Sequence, residues 1–180
     1  MAQNWLNPDN LFIQYGTDQT ISEAAGEFAL PGSPNRIVEV VINLASLSTS
    51  SASILSNNVL FPAPPSGQLF IEKAEMVIET AAASSGSGTV SVGLIQTDRA
   101  TVPSNYGHAL INAETTAHMT PAGNILTYLG GGSQSGTLIG SQPANATGPY
   151  YLTAQAGTAV FQSGVVRVRI YYRGVGTITQ

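Results

Sequence analysis

The chain has 180 residues, of which 6 are Lys or Arg and 10 are Asp or Glu, giving a net charge of −4. Only 9 % of it is charged, against roughly 25 % in an ordinary soluble domain, which disfavours an electrostatic grip on nucleic acid, since that needs clustered Lys and Arg. The absence of cysteine excludes disulfides, thiolate metal sites and cysteine nucleophiles, and a chain of this length is expected to fold around one core held by packing, strand pairing or oligomerisation.

Residues 1–8 lack a basic stretch followed by an apolar run, so no signal peptide is expected and the mature chain is expected to begin here. Residues 1–35 carry Trp5, Leu6, Leu11, Phe12, Ile13, Tyr15 and Phe28 among Asn, Asp, Gly and Pro, with weak periodicity. They read as a partly extended N-terminal arm that crosses its own sandwich or docks on a neighbour, because an exposed apolar patch needs cover. An N-terminal strand of the same sheet is the alternative. Ile37-Val38-Glu39-Val40-Val41-Ile42 is short and β-branched, as expected of a strand buried on much of both faces.

In residues 68–80, Phe70, Ala74, Met76 and Ile78 share one parity, while Lys73, Glu75 and Glu79 share the other. That pattern predicts a long strand with one wet face; the helix-forming Glu, Lys, Ala and Met leave a helix as the alternative. The Ser and Gly of residues 84–88 form a flexible connection and residues 89–96 alternate again, which predicts a β-hairpin. Residues 130–149, rich in Gly, Ser, Gln, Asn and Pro, read as a long loop. In the last third, Val166, Val168, Ile170 and Tyr172 alternate with Arg167, Arg169, Tyr171 and Arg173, after shorter strands at residues 150–154 and 158–161. These read as a meander. With 19 Gly and 10 Pro and no long amphipathic helix, the expected class is all-β: an antiparallel β-sandwich or jelly roll over residues 36–180 with the arm before it.

Residues with catalytic potential are few. His108, Glu114 and His118 lie close in sequence but lack a metal-protease spacing, and they read as polar residues between the hairpin and the Gly-rich loop. No Gly-x-Ser-x-Gly elbow is present, and Gly86-Ser87-Gly88 reads as a linker. Glu72, Glu75 and Glu79 sit on one element with Lys73, as a solvated face would, rather than as an acid/base pair. Gly130-Gly131-Gly132 lacks the Lys-Ser/Thr of a phosphate loop, and the Asn145-Ala146-Thr147 glycosylation triplet carries little weight alone. The expectation is a non-enzymatic protein without metal or cofactor. The longest charge-free spans, residues 40–71 and 115–166, are broken by polar residues well before about 18 apolar ones accumulate, so no membrane-spanning helix is expected.

Arg167, Arg169 and Arg173 form the one charged motif, a row on the outer face of the last strand with Tyr171 between them. Such a row meets an acidic patch on a partner, or it protects a sheet edge from strand-to-strand aggregation. The charge-free span 115–166 is what an assembly protein shows, because the cores of multi-subunit interfaces are depleted in charge.

The runs FIEKAEMVIET (70–80), SGSGTVSVGLIQTD (85–98), GHALINAE (107–114), GGGSQSGTLIGS (130–141) and YYLTAQAGTAVFQSGVVRVRIYY (150–172) together resemble a layout of small virion structural proteins of tailed bacteriophages, particularly head decoration (cement) proteins. The resemblance covers residues 68–173. It implies a β-sandwich on the capsid exterior, often a homotrimer at three-fold positions, whose partners are the major capsid protein and itself. It implies neither catalysis nor contact with nucleic acid or membrane. In that setting Trp5, Leu11, Phe12 and Tyr15 of the arm, together with Arg167, Arg169 and Arg173, are the candidate interface residues. The alternative is a phage tail or fibre module that binds host glycans, suggested by the Tyr-rich strands and the long polar loop.

Overall fold

The computed structural model describes residues 6–7, 10–14, 22–29, 35–50, 53–55, 68–95, 110–128, 138–139 and 151–175, with side chains described for 37–50, 55, 72–93, 110–128 and 152–172. In chain order the strands are β1 (Leu6–Asn7), β2 (Asn10–Gln14), β3 (Ser22–Ala29), β4 (Asn35–Asn43), β5 (Ser53–Ile54), β6 (Gln68–Ser84), β7 (Thr89–Ile95), β8 (Ile111–Thr115), β9 (Ile125–Tyr128), β10 (Leu138–Ile139), β11 (Tyr151–Gly157) and β12 (Phe161–Val175). Two 3₁₀ turns, Leu44–Ser46 and Thr116–Met119, interrupt them. The all-β expectation holds. The chain forms two antiparallel sheets, an eight-stranded one in the order β1-β2-β3-β4-β12-β6-β10 with β9 also on β6, and a four-stranded one in the order β5-β11-β7-β8.

Period-two patterning decides which side chains go inside. In the large sheet Val38, Val40 and Ile42 pair with Ile170, Val168 and Val166, which pair in turn with Ala74, Met76 and Ile78. All nine are buried. In the small sheet Val90, Val92, Leu152, Ala154 and Ala156 are buried, and side chains of both sheets meet in one core cluster. Each fully buried aliphatic side chain stabilises the fold by about 1.5–3 kcal/mol relative to exposure, so this one cluster, which also takes in Leu44, Leu110, Ile111 and Met119, holds the sheets together.

Residues 68–80 are strand rather than helix, within the 17-residue β6. The strands of residues 1–35 extend the large sheet from β4, as a meander β1-β2-β3. Two local expectations are corrected. β6 and β7 do not form a hairpin, because β6 lies in the large sheet and β7 in the small one; likewise β11 and β12 are consecutive but lie in different sheets. The reason is visible at the corner. Ser84 pairs with Phe161 on one side of it and Thr89 with Gly157 on the other, and between them Ser85 N–H donates to Val160 O at 3.1 Å. The strand pairs β6/β12 and β7/β11 therefore form a continuous two-stranded ribbon that bends from one sheet to the other, and buried side chains from both of its halves fill the same core.

The bend is held by special backbone. Thr158 adopts φ 66°, a left-handed conformation that a β-branched residue rarely enters. Gly164, at φ 130°, sits where β12 shifts register against β6, and a Cβ there would lie 2.9 Å from Ala82 Cα and from Leu44 Cδ1. Only glycine fits both requirements. Among the described residues no helix is long and apolar enough to cross a membrane.

Candidate functional site

The residues with most chemistry gather on the outer face of the large sheet. Strand register places them in cross-strand rows. One row runs Phe12, Phe28, Ile37, Tyr171, Lys73; the next runs Gln14, Gly26, Glu39, Arg169, Glu75, Thr127; a third runs Ala24, Val41, Arg167, Val77, Ile125. Alternation on β4, β12 and β6 forces this, since the opposite parity is already committed to the core. The β4 half of the face is tightly covered, Ile37 and Val41 each being 5 % exposed.

The described charges of this face pair with one another. Glu39 accepts from two arginines of β12, from Arg169 Nε at 2.7 Å and from Arg167 Nη1. Arg167 also donates through Nε to Glu79 Oε1 at 2.6 Å. On the other side of β12, Lys73 Nζ donates to Glu75 Oε1 at 2.6 Å and Tyr171 Oη to Glu75 Oε2 at 2.8 Å. The Lys73 ammonium stands 4.2 Å above the Tyr171 ring centroid, a cation–π contact. Three cations and three carboxylates thus cancel within one face.

The titration of these groups reflects the pairing. Burial pushes Glu39 up, but the hydrogen bonds and charges of Arg169 and Arg167 outweigh it and hold its pKa below the ordinary carboxylate value. Burial likewise raises Glu75, and is outweighed by the hydrogen bonds from Lys73 and Tyr171 and the charges of Lys73 and Arg169. Tyr171 moves the other way: burial and the Glu75 carboxylate push its phenol up to about 12. For Arg167, burial works against the charged form, and Glu39 and Glu79 more than restore it.

Of the residues singled out from sequence, the structure brings Arg167 and Arg169 together with Glu39 and Glu79. Arg173 lies on β12 opposite Asn35 and Phe70, with its side chain outside the described residues. Phe12 stands in the row of Tyr171, on the face of the two arginines, and Leu11 pairs with Leu6 of β1; the side chains of both, and all of Trp5 and Tyr15, lie outside the described residues. Protection of a sheet edge by the arginines is ruled out, because β12 has β4 on one side and β6 on the other. Glu39, the acceptor shared by the arginines, was not singled out from sequence. Its signal is that it is the one charged residue within the apolar run 37–42 of β4.

A second polar cluster links the sheets at their margin. Glu114, on β8 of the small sheet, accepts from Tyr128 Oη at 2.8 Å, on β9 of the large sheet, and its other oxygen lies 2.6 Å from His118 Nδ1. Burial and this carboxylate push the Tyr128 phenol up. His108 lies outside the described residues, and among those described no group of three metal-ligating side chains occurs. Beside the ribbon corner, a hollow of about 420 Å³ is lined by Gly86, Ser87, Gly88, Thr115, Thr116 and Ala117. Thr116 is tied to Gly88 within this lining, its N–H and Oγ1 both donating to Gly88 O, at 3.0 and 2.7 Å.

Comparison with known proteins finds no matching family model, no similar curated protein and no similar solved structure.

Proposed function

We propose that this chain is a non-enzymatic capsid decoration (cement) protein of a tailed phage, binding the outer surface of the shell as a homotrimer and stabilising the expanded lattice. The observation that carries the reading is the distribution of charge. On the outer face of the large sheet three cations and three carboxylates pair among themselves, and the following 52 residues of the chain up to Arg167, residues 115–166, carry no Lys, Arg, Asp or Glu. Such a surface suits burial in a multi-subunit assembly, where an unpaired charge is costly. The paired ribbon bending between two sheets over one core supports a β-sandwich of jelly-roll type, whose large sheet is extended by the strands of residues 1–35. Bridging neighbouring capsid subunits adds binding free energy that exists only in the assembled shell. Many weak symmetric contacts suffice for that role, without any catalytic group.

The test is quantitative mass spectrometry of virions separated into heads and tails. Copies in heads in numbers comparable with the major capsid protein are expected. A few copies confined to tails move the function to host attachment, and absence from virions overturns the phage assignment altogether.

A further inference from the structure

We propose that β9 is a pairing edge whose occupant is β9 of a second copy, the two strands running antiparallel about a two-fold axis so that the large sheets of two copies continue into one another. Among the described residues, β9 pairs with β6 on one side only. The ladder shows which of its backbone groups face the open side. Ile78 N–H donates to Asn124 O at 2.9 Å, which makes residues 78 and 124 a bonded pair. In an antiparallel ladder such pairs alternate with pairs that exchange no hydrogen bonds. Leu126 and Tyr128, opposite Met76 and Ala74, therefore point their N–H and C=O groups at β6, whereas Ile125 and Thr127, opposite Val77 and Glu75, point theirs away from it. Those outward groups are a template for another strand.

The strands at the ends of both sheets are blunted against such pairing. β1, β5 and β10 are only 2 residues long, and β8 is interrupted by Ala113 at φ 51° and by a register shift between Val90 and Val92. β9 has neither defence: it runs 4 residues without a bulge, a charge or a proline, and Ile125 on it is 60 % exposed. A second copy fits the open row in register. With Leu126 opposite Leu126 of the second copy, Ile125 lies opposite that copy's Thr127 and Thr127 opposite its Ile125, so every outward N–H meets an outward C=O. Opposed residues then also share a face of the joined sheet, as the pleat requires. A two-fold axis brings each group up to its own kind, so an uncompensated charge beside it would repel its copy. The nearest charged side chain in these rows, Glu75, stands one strand back and is bonded by Lys73 and Tyr171. The contact is isologous; it is distinct from the three-fold contact of the reading above and does not rest on it.

The chain has no cysteine, so single cysteines in the full-length protein read the register directly. Leu126→Cys sets two thiols opposite each other on one face, at a pair that exchanges no hydrogen bonds and whose Cα atoms stand about 4.5 Å apart, within disulfide reach. Ile125→Cys sets them two residues out of register, beyond the limit of about 7 Å. Under mild oxidation Leu126→Cys is expected to give at least about tenfold more covalent dimer than Ile125→Cys. Adding Thr127→Lys, at an exposed position, is expected to remove that excess, because a lysine on an edge strand opposes pairing; an unchanged thermal midpoint will confirm that each variant is folded. The wild-type chain supplies a second measurement. Amide exchange followed by NMR is expected to show protection of Ile125 and Thr127 that rises with protein concentration, while Leu126, already bonded to β6, does not change. Equal cross-linking at positions 125 and 126, or protection that does not depend on concentration, overturns the proposal. So does protection of Ile125 and Thr127 that arises only when purified phage heads are added, which assigns the edge to an extended segment of the shell instead of to a second copy.

Discussion

Glu39 holds two guanidinium groups at once, Arg169 through Oε2 and Arg167 through Oε1, so its removal leaves two cations on one face with less compensation. Charge-assisted hydrogen bonds contribute about 1.5–3 kcal/mol each when well shielded, and less where water reaches them, as it does here. Glu39→Gln is therefore expected to cost about 1–2 kcal/mol in a urea titration at neutral pH. The same site sets an acid limit. Glu39 and Glu75 have folded pKa values below their ordinary one, so the unfolded chain binds protons first as pH falls. Their contribution is complete above the ordinary carboxylate pKa and is lost as pH drops through the depressed values. Urea midpoints measured from neutral pH down into the acid range are expected to fall below the ordinary value, with a shallower slope in Glu39→Gln. Equal slopes in the two proteins would show that the Arg167 and Arg169 pairing does not set acid stability. Tyr171 acts at the other end: its pKa is raised to about 12, so the bond it donates to Glu75 is intact below its unfolded value and is lost as pH rises through the folded one. Backbone strain offers a change of opposite sign. Thr158 at φ 66° bears the left-handed penalty of roughly 1–2 kcal/mol, part of which glycine returns as unfolded-state entropy. Thr158→Gly is expected to raise the thermal midpoint, and a lowered midpoint would mean that the threonine side chain, not the backbone, holds the corner.

At the level of elements, alternation revealed faces but not partners. The parity of Ala74, Met76 and Ile78 against Lys73, Glu75 and Glu79 was legible, and so was that of Val166, Val168 and Ile170 against the arginines. Both place the same residues inside and outside as the structure does. What alternation does not encode is which strand lies alongside. Residues 85–88 are Ser and Gly, equally able to turn a hairpin within one sheet or to carry the chain to another, and only the burial of Val90 and Val92 from the opposite side of the core distinguishes the two. The same limit misplaced the arginine row at an edge: β12 is flanked by β4 and β6, and strand order depends on contacts between residues as distant as Glu39 and Arg167. Burial on β6 has a direct energetic consequence. Met76 is fully buried between Val168 and Leu126 in the strand register, whereas Thr80 on the same strand is exposed. Met76→Ala is expected to cost about 2–5 kcal/mol and Thr80→Ala less than about 0.5 kcal/mol, measured by chemical denaturation. Comparable losses at the two sites would contradict the burial of Met76 in the core.

For the whole molecule the decisive feature is that both sheets depend on one corner. β6 and β12 enter it paired, β7 and β11 leave it paired, and the core that they enclose is shared. Two sheets joined by a single flexible link would lose structure separately, but here the ladder runs through the bend. Gly88 is the tightest point of that bend on the β6–β7 side: a Cβ there would meet Ser84 Cβ at 2.7 Å and Val160's neighbour Ala159 O at 3.3 Å. Both contacts lie on the ribbon itself, so a bulkier residue forces the two links apart at once. Gly88→Val is therefore expected to lower amide protection in β4 and β12 of the large sheet as much as in β7 and β11 of the small one, read by hydrogen exchange followed with mass spectrometry. The reason is cooperative: amides that exchange only by global unfolding all report the same loss of stability, wherever the lesion lies. Loss confined to β7 and β11 would mean that the small sheet opens alone, and the two sheets would then be separate folding units that merely touch.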